Sequence, residues 1–333
     1  MIMRDIPSIV AAAGLAAVVC VAVLAWLLKT RLAWRLAIDT PNWRSLHTIP
    51  VPRVGGWGLV PSTLAASLVV GGGSRIGYAL AGMTALAVLS FVDDRRGLPA
   101  SLRFAVHFVI AGLFVRSLGT GGGLWAAIVL GVATVWMTNL YNFMDGLDGL
   151  AGGMALFGFG AYAWAAAGHA SELAIVASAL AGAALGFLVF NFHPAKIFLG
   201  DVGSIPLGFM AGALGLYGWR NGVWPLWYPA IVFSPFIADA SLTLAKRAIR
   251  KERVWEAHRE HYYQRLARMG MRHRTVAAVW HGLMAIAALL GIVMLQFSAF
   301  AQHAILTLWY LGLLVACFRL DAAWKRFERQ EPT

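Results

Sequence analysis

The sequence predicts an all-α polytopic membrane protein of about eleven transmembrane helices, and three observations predict it. Hydrophobic residues make up 60% of the 333 and charged residues only 13%, which no soluble domain of this size shows. The apolar residues fall in long runs separated by short polar loops. Arg and Lys lie almost entirely in alternate loops, the signature of a chain oriented by the positive-inside rule.

The apolar runs lie at roughly 7–28, 57–73, 76–92, 103–118, 124–141, 150–168, 173–191, 203–219, 223–243, 276–297 and 303–320. The first is too long, and too soon followed by others, for a cleaved signal peptide. Of the 27 Lys and Arg, only Arg4, Arg75, Arg116 and Arg220 fall outside the odd-numbered loops and the tail. The amino terminus is therefore expected outside and the carboxyl terminus in the cytoplasm. Residues 1–333 read as a single integral-membrane domain, with 246–275 a basic cytoplasmic loop between spans nine and ten. Cys20 and Cys317 lie in apolar runs and read as small packing residues, not a disulfide framework. The net charge of +12 fits loops facing anionic lipid, or an anionic phosphate substrate, rather than nucleic acid.

Of the fifteen acidic residues, only Asp5 and Glu172 fall on the outer side. Asp39, Asp93, Asp94, Asp145, Asp148, Asp201 and Asp239 all lie at inner loops or span ends, and none lies mid-span. Ion carriers place carboxylates at mid-depth, so this pattern describes an active site on cytoplasmic loops.

Along the chain, the first inner loop, Asp39-Thr-Pro-Asn-Trp-Arg-Ser-Leu-His47 to Pro50-Val-Pro-Arg-Val-Gly-Gly56, is too rich in Pro and Gly for a regular helix. Arg44, His47 and Arg53 are suited to phosphate oxygens, or to lipid headgroups. In the second loop, Asp93 and Asp94 are neutralised by Arg95, Arg96 and Arg103 or form part of a metal and phosphate site. His107 reads as a packed span residue.

The densest polar stretch is Asn139-Leu-Tyr-Asn-Phe-Met-Asp-Gly-Leu-Asp-Gly-Leu-Ala-Gly-Gly153, with Asn142, Asp145 and Asp148 among glycines that let a backbone approach a ligand. The fourth loop, Asn191-Phe-His-Pro-Ala-Lys-Ile-Phe-Leu-Gly-Asp-Val-Gly-Ser204, sets Asp201 between glycines at a predicted helix start, a ready anion site. Phe198 could stack a base. His193 lacks a partner at zinc spacing. The last loop contains Trp255-Glu-Ala-His-Arg-Glu-His-Tyr-Tyr-Gln-Arg-Leu266. It is expected to be partly helical, with His258 and His261 on one face. Asp239 is expected to pair with a nearby Lys or Arg.

Together these pieces resemble the polyprenyl-phosphate N-acetylhexosamine-1-phosphate transferases. The matching motifs are Asp39-x-Pro-Asn-x-Arg with His47, Pro52-Arg-Val-Gly-Gly, Asp93-Asp94 and Asn142-x-x-Asp-Gly-Leu-Asp-Gly-Leu-Ala151. They continue with Asn191, Pro194-Ala-x-x-Phe-x-Gly-Asp-x-Gly-Ser204, Pro235-x-x-x-Asp239 and His258-x-x-His261-x-x-Gln-Arg-Leu266. Each alone is weak; the ordered set is specific. The likeness is closer to the enzymes that initiate O-antigen and enterobacterial common antigen than to phospho-N-acetylmuramoyl-pentapeptide transferase. The latter carries three successive histidines where Arg259 and Glu260 intervene here, and a lysine where this chain has Arg95 and Arg96.

The resemblance implies transfer of sugar phosphate from a cytoplasmic UDP-N-acetylhexosamine to undecaprenyl phosphate, giving the lipid-diphospho-sugar and UMP. It further implies Mg2+, with Mn2+ as a substitute, a bacterial cytoplasmic membrane location, contact with membrane lipid, and often a homodimer. It makes Asp201 the metal ligand, and Asp93, with Asp94, the group that accepts the acceptor's proton or orients it. Asp145 supports the site. Asp148, Asn191 and Phe198 surround the uridine, His258 and His261 hold diphosphate or sugar, and Asn142 and Arg265 join the substrate contacts. A transporter of lipid or nucleotide sugar would need charge at mid-depth, and an intramembrane aspartyl protease would need two mid-span aspartates; neither is present in the sequence pattern.

Overall fold

The computed structural model describes residues 2–41, 49–72, 76–119, 122–254 and 258–330. Among the described residues, each predicted apolar stretch lies mostly on helix, as expected where lipid offers the backbone no hydrogen bonds. The order is α1 (Ile2–Lys29), a short α2 (Ala33–Leu36), then α3 (Gly55–Val70), α4 (Gly77–Arg96), α5 (Ala100–Ser117), α6 (Gly123–Phe143), α7 (Leu150–Ala166), α8 (Ser171–Asn191) and α9 (Asp201–Arg220). There follow α10 (Trp227–Val232), α11 (Ser234–Ile249), α12 (Tyr262–Arg268), α13 (His273–Met294) and α14 (Ala299–Gln330). Among the described residues, seven helices are long and apolar enough to cross a membrane: α1, α5, α6, α8, α9, α13 and α14. The chain is an all-α polytopic membrane protein.

Two details depart from the sequence reading. The ninth predicted span is two helices, α10 and α11, because Pro235 at the start of α11 has no N–H to continue the ladder. The first inner loop is not wholly irregular. Its ends form a two-stranded antiparallel ribbon, β1 (Ile38–Asp39) with β2 (Val51–Pro52).

Helices α8 and α9 are the most enclosed. On α8 pack α1, α3 and α7; on α9 pack α4 and α6; α13 lies on α7, and α14 is peripheral. Small residues permit the closest crossing: a Cβ added at Gly186 of α8 would stand 2.6 Å from the Ala17 carbonyl of α1, the small-residue contact that lipid-embedded helices favour.

The bundle has two polar ends. At one, the Asp5 carboxylate accepts from the Gly168 N–H and the Ser171 hydroxyl, each at 2.9 Å. At the same end Arg220 donates to the carbonyls of Leu118 at 3.3 Å and Gly119 at 2.8 Å. At the other end meet the segments after α2, α4, α6, α8 and α11, which carry nearly every candidate residue.

Candidate active site

The turn between α6 and α7 is held from three sides. Gly149, at φ +77°, starts α7. Its N–H donates to Asn191 Oδ1 at 2.9 Å, while Asn191 Nδ2 donates to the Ile197 carbonyl at 2.9 Å. Asn191 is thus a buried strut that fixes the 144–149 turn to the loop before α9. His281 of α13 donates from Nε2 to the Gly149 carbonyl at 2.9 Å, and the Ser204 hydroxyl donates to Asn142 Oδ1 at 2.9 Å. Asp148 Oδ2 accepts from the Ala195 N–H at 3.1 Å and lies 2.7 Å from His193 Nδ1. A turn tied down by these hydrogen bonds keeps its carboxylates in place.

The loop before α9 is laid along the start of α3. Phe198 N–H donates to the Pro52 carbonyl at 2.8 Å, Gly55 N–H to Phe198 at 2.9 Å, and Gly56 N–H to Leu199 at 3.0 Å. Only glycines suit this seam. A Cβ on Gly56 would collide with the Gly203 nitrogen, and Gly200, at φ +71°, would bring one within 3.2 Å of Arg53 Cβ. The seam sets Arg53 beside Asp201, the first residue of α9. The Arg53 guanidinium is 3.6 Å from Asp94, and its buried Nε has no partner among the described residues.

Electrostatics joins these pieces into one cluster. The charges acting most on Asp201 are Asp94, Arg53, Arg103 and Asp93, in that order. Asp145 is partly buried. Burial and then Asp201 push its carboxyl up to about 7, against a backbone hydrogen bond from Gly200 and the Arg53 charge, with Asp39 adding to the repulsion. Asp93 is committed elsewhere as well: it accepts from the Leu98 N–H at 2.7 Å and from Arg103 at 2.8 Å, which clamps the α4–α5 turn. The Asp94 carboxylate is therefore the member of the pair turned to use at the cluster.

Several carboxylates crowded beside few cations form an incomplete charge set. Among the described residues, no three His, Cys, Asp or Glu side chains make a ready metal cage. Magnesium commonly takes one or two carboxylates and fills its octahedron with water and substrate phosphate. Asp201 and Asp94, or Asp145, are oxygen donors of the right kind, and the amino terminus of α9 favours the accompanying anion.

The histidine loop is built differently from the expectation. His258 and His261 do not share a helix face, because α12 begins only at Tyr262. Asp239 fixes that start: its carboxylate accepts from Tyr262 N–H at 2.9 Å and Tyr263 N–H at 3.2 Å, and meets His261 Nδ1 at 3.1 Å. Gln264 closes a capping box by accepting the His261 N–H. Asp239 therefore pairs with His261 and backbone, not with Lys or Arg; Lys246 is drawn to Asp321, and Arg247 to Glu252 and Glu260. The two rings still meet, with centroids 4.8 Å apart. Burial first, then His261 and Arg247, hold His258 down at about 4, so it is neutral near pH 7. Arg265 is buried and spends its guanidinium on Asp321, at 2.9 Å, and Glu260. Arg44 and His47 lie outside the described residues.

Sequence reasoning overlooked His281, Tyr263 and Asp321, and saw in His193 no role. The one available signal was His281, a polar residue within an apolar run. The others sit among residues whose partners are far away in sequence.

The glycosyl transferase family 4 profile matches residues 76–218, which includes Asp93, Asp94, Asp145, Asp148, Asn191 and Asp201. The chain is 31% identical over 259 residues to a probable undecaprenyl-phosphate N-acetylglucosaminyl 1-phosphate transferase of Bacillus subtilis, covering 72% of each chain. It is 31% identical over 315 residues to the decaprenyl-phosphate N-acetylglucosaminephosphotransferase of Mycobacterium tuberculosis, covering 77% of this chain and 76% of the relative. With the undecaprenyl-phosphate alpha-N-acetylglucosaminyl 1-phosphate transferase of Yersinia pestis it shares 27% identity over 329 residues, 88% of each.

Proposed function

The chain belongs to the polyprenyl-phosphate N-acetylhexosamine-1-phosphate transferases of glycosyl transferase family 4, and from that premise we propose that it moves N-acetylhexosamine 1-phosphate from a UDP-sugar to a polyprenyl phosphate and releases UMP. The acceptor in a bacterial inner membrane is undecaprenyl phosphate. The polymer begun is an O-antigen or a related surface polysaccharide. The observation that carries the reading is the convergence of Asp94, Asp145 and Asp201 on Arg53 at one polar end of the bundle.

The chemistry asks for that convergence. An oxygen of the lipid phosphate attacks the sugar-bearing phosphorus of the diphosphate, and the bond to the UMP oxygen breaks. Both reactants are anions, so the site must offset their repulsion and hold them in line. Arg53 offers a guanidinium to phosphate oxygens. Asp201, with Asp94 or Asp145, would hold Mg2+, which when bound supplies charge neutralisation for the diphosphate. Asp93 keeps Arg103 at the rim and the α4–α5 turn closed. A lipid phosphate is largely ionised near neutral pH, so Asp94 has orientation rather than deprotonation as its main task. Asp148, steadied by His193 and Ala195, and Phe198 stand where the uridine would be read. Neutral His258 remains available to hydrogen-bond the sugar or diphosphate.

The topology fits this chemistry if the acidic end faces the cytoplasm, where UDP-sugars are made. Eleven spans with the amino terminus outside, and a homodimer, complete the proposal. Purified protein given undecaprenyl phosphate, Mg2+ and a panel of UDP-N-acetylhexosamines tests it. Release of UMP with a lipid-linked product of matching mass is expected. No UMP from any donor, from folded protein, contradicts it.

A further inference from the structure

We propose that Tyr263 is a positioning residue for Asp145, linking the histidine loop to the carboxylate turn; the proposal rests on the transferase reading above. Tyr263 is wholly buried, and its hydroxyl has no hydrogen-bond partner among the described residues. It is aimed at the 144–149 turn: a Cβ placed on Gly146 would collide with the phenol oxygen. Asp145 directly precedes that glycine, and the charges acting on the phenol are those of Asp239 first and Asp145 second. Gln264 stands beside the phenol with its amide nitrogen, a donor that leaves the phenol's own proton without an acceptor.

The ring has little freedom to turn elsewhere. The Tyr263 N–H is anchored on Asp239 at 3.2 Å. One face of the ring stacks near-parallel on His261, at 6.0 Å between centroids and 13° between planes, and Trp280 meets it edge-on at 6.5 Å. A buried O–H without an acceptor is costly, and we assign that acceptor role to the Asp145 carboxylate, next in the chain to the glycine that the phenol abuts. Donation from Tyr263 fixes the direction in which the Asp145 carboxylate points. Asp239, His261, Tyr263 and Asp145 thereby form one chain from α11 to the reacting groups. This also explains why position 146 holds a glycine: any side chain would occupy the place of the phenol oxygen.

The test is Tyr263→Phe in the full-length protein in detergent or nanodiscs, since it removes only the hydroxyl. The expected kcat loss is about tenfold, with KM for donor and acceptor within about twofold and folded yield unchanged. On an Asp145→Asn background the same change should cost nothing further, because the group it orients is gone. Hydrogen exchange at 144–149 reads the contact without any substrate, and faster exchange in the variant is expected. Unchanged kcat, an equal loss on the Asp145→Asn background, or unchanged exchange each overturns the proposal. If the wild type releases no UMP from any donor, the transferase reading fails, while the exchange measurement still decides the Tyr263 contact.

Discussion

The two polar ends of this bundle treat charge in opposite ways. At the end marked by Asp5, charged groups are satisfied by backbone: Asp5 by the Gly168 N–H, Arg220 by the Leu118 and Gly119 carbonyls. At the other end Asp39, Asp94, Asp145 and Asp201 are set against one another, with Arg53 as the guanidinium between them. The first arrangement is complete as it stands and fastens helices. The second leaves like charges facing one another, with Arg53 to offset them. The contrast recurs within the acidic end itself, in two aspartates. Asp239 has donors from His261, Tyr262 and Tyr263; Asp145 faces another carboxylate, that of Asp201.

The sharpest break of this comparison is Asp201→Asn. It should cost about two to three orders of magnitude in kcat, the scale of losing a central electrostatic group, with folded yield retained; Asp94→Asn should come close behind. Steady-state UMP release reads both, and near wild-type turnover of folded Asp201→Asn would remove that residue from the site. Asp239→Ala should act on the fold instead. It leaves the Tyr262 and Tyr263 N–H groups buried without acceptors, at about 1–3 kcal/mol each, so monodisperse yield and thermal stability should fall. A well-folded but inactive Asp239 variant would move that residue to the functional side of the contrast.

A smaller effect sharpens the contrast through pH. The Asp145 carboxyl is raised from 3.8 to about 7 by burial and by Asp201, so the fold holds a proton that the unfolded chain gives up. Its contribution to stability is present in acid and is lost as pH rises through about 7. Protein freed of divalent cations should therefore melt lower at about pH 8 than at about pH 6, and Asp145→Asn should flatten that slope. An unchanged slope in the variant would show that another group causes it. The smallest effect belongs to the complete end: Asp5→Ala should lower stability by about 1 kcal/mol and leave kcat and KM unaltered, as thermal melts and turnover together would show.

Much of this was legible in the sequence because apolar length alone dictates helices in lipid. The Asp-Gly motifs at 145–149 and 200–203 were equally plain, since glycines beside carboxylates mark turns that approach a ligand. What stayed hidden were partners brought together by tertiary packing. Asp239 looked like half of a salt bridge because Lys246 and Arg247 follow it, yet α14 supplies Asp321 for the lysine and leaves Asp239 to cap α12. Asn191 looked like a ligand contact, but both ends of its amide are used to tie two loops. The resemblance puts Asp93 first of its pair; the position of Leu98 and Arg103 instead ties Asp93 to the turn and leaves Asp94 facing Arg53. Tyr263 carried no local mark at all.

The central claim is that the incomplete acidic end is finished by a divalent cation and two phosphates. UMP release from undecaprenyl phosphate and the accepted UDP-sugar, followed before chelation, in excess chelator and after Mg2+ is returned, measures it most directly. The account predicts release that falls to background in chelator and recovers with Mg2+. Undiminished release in excess chelator would contradict it.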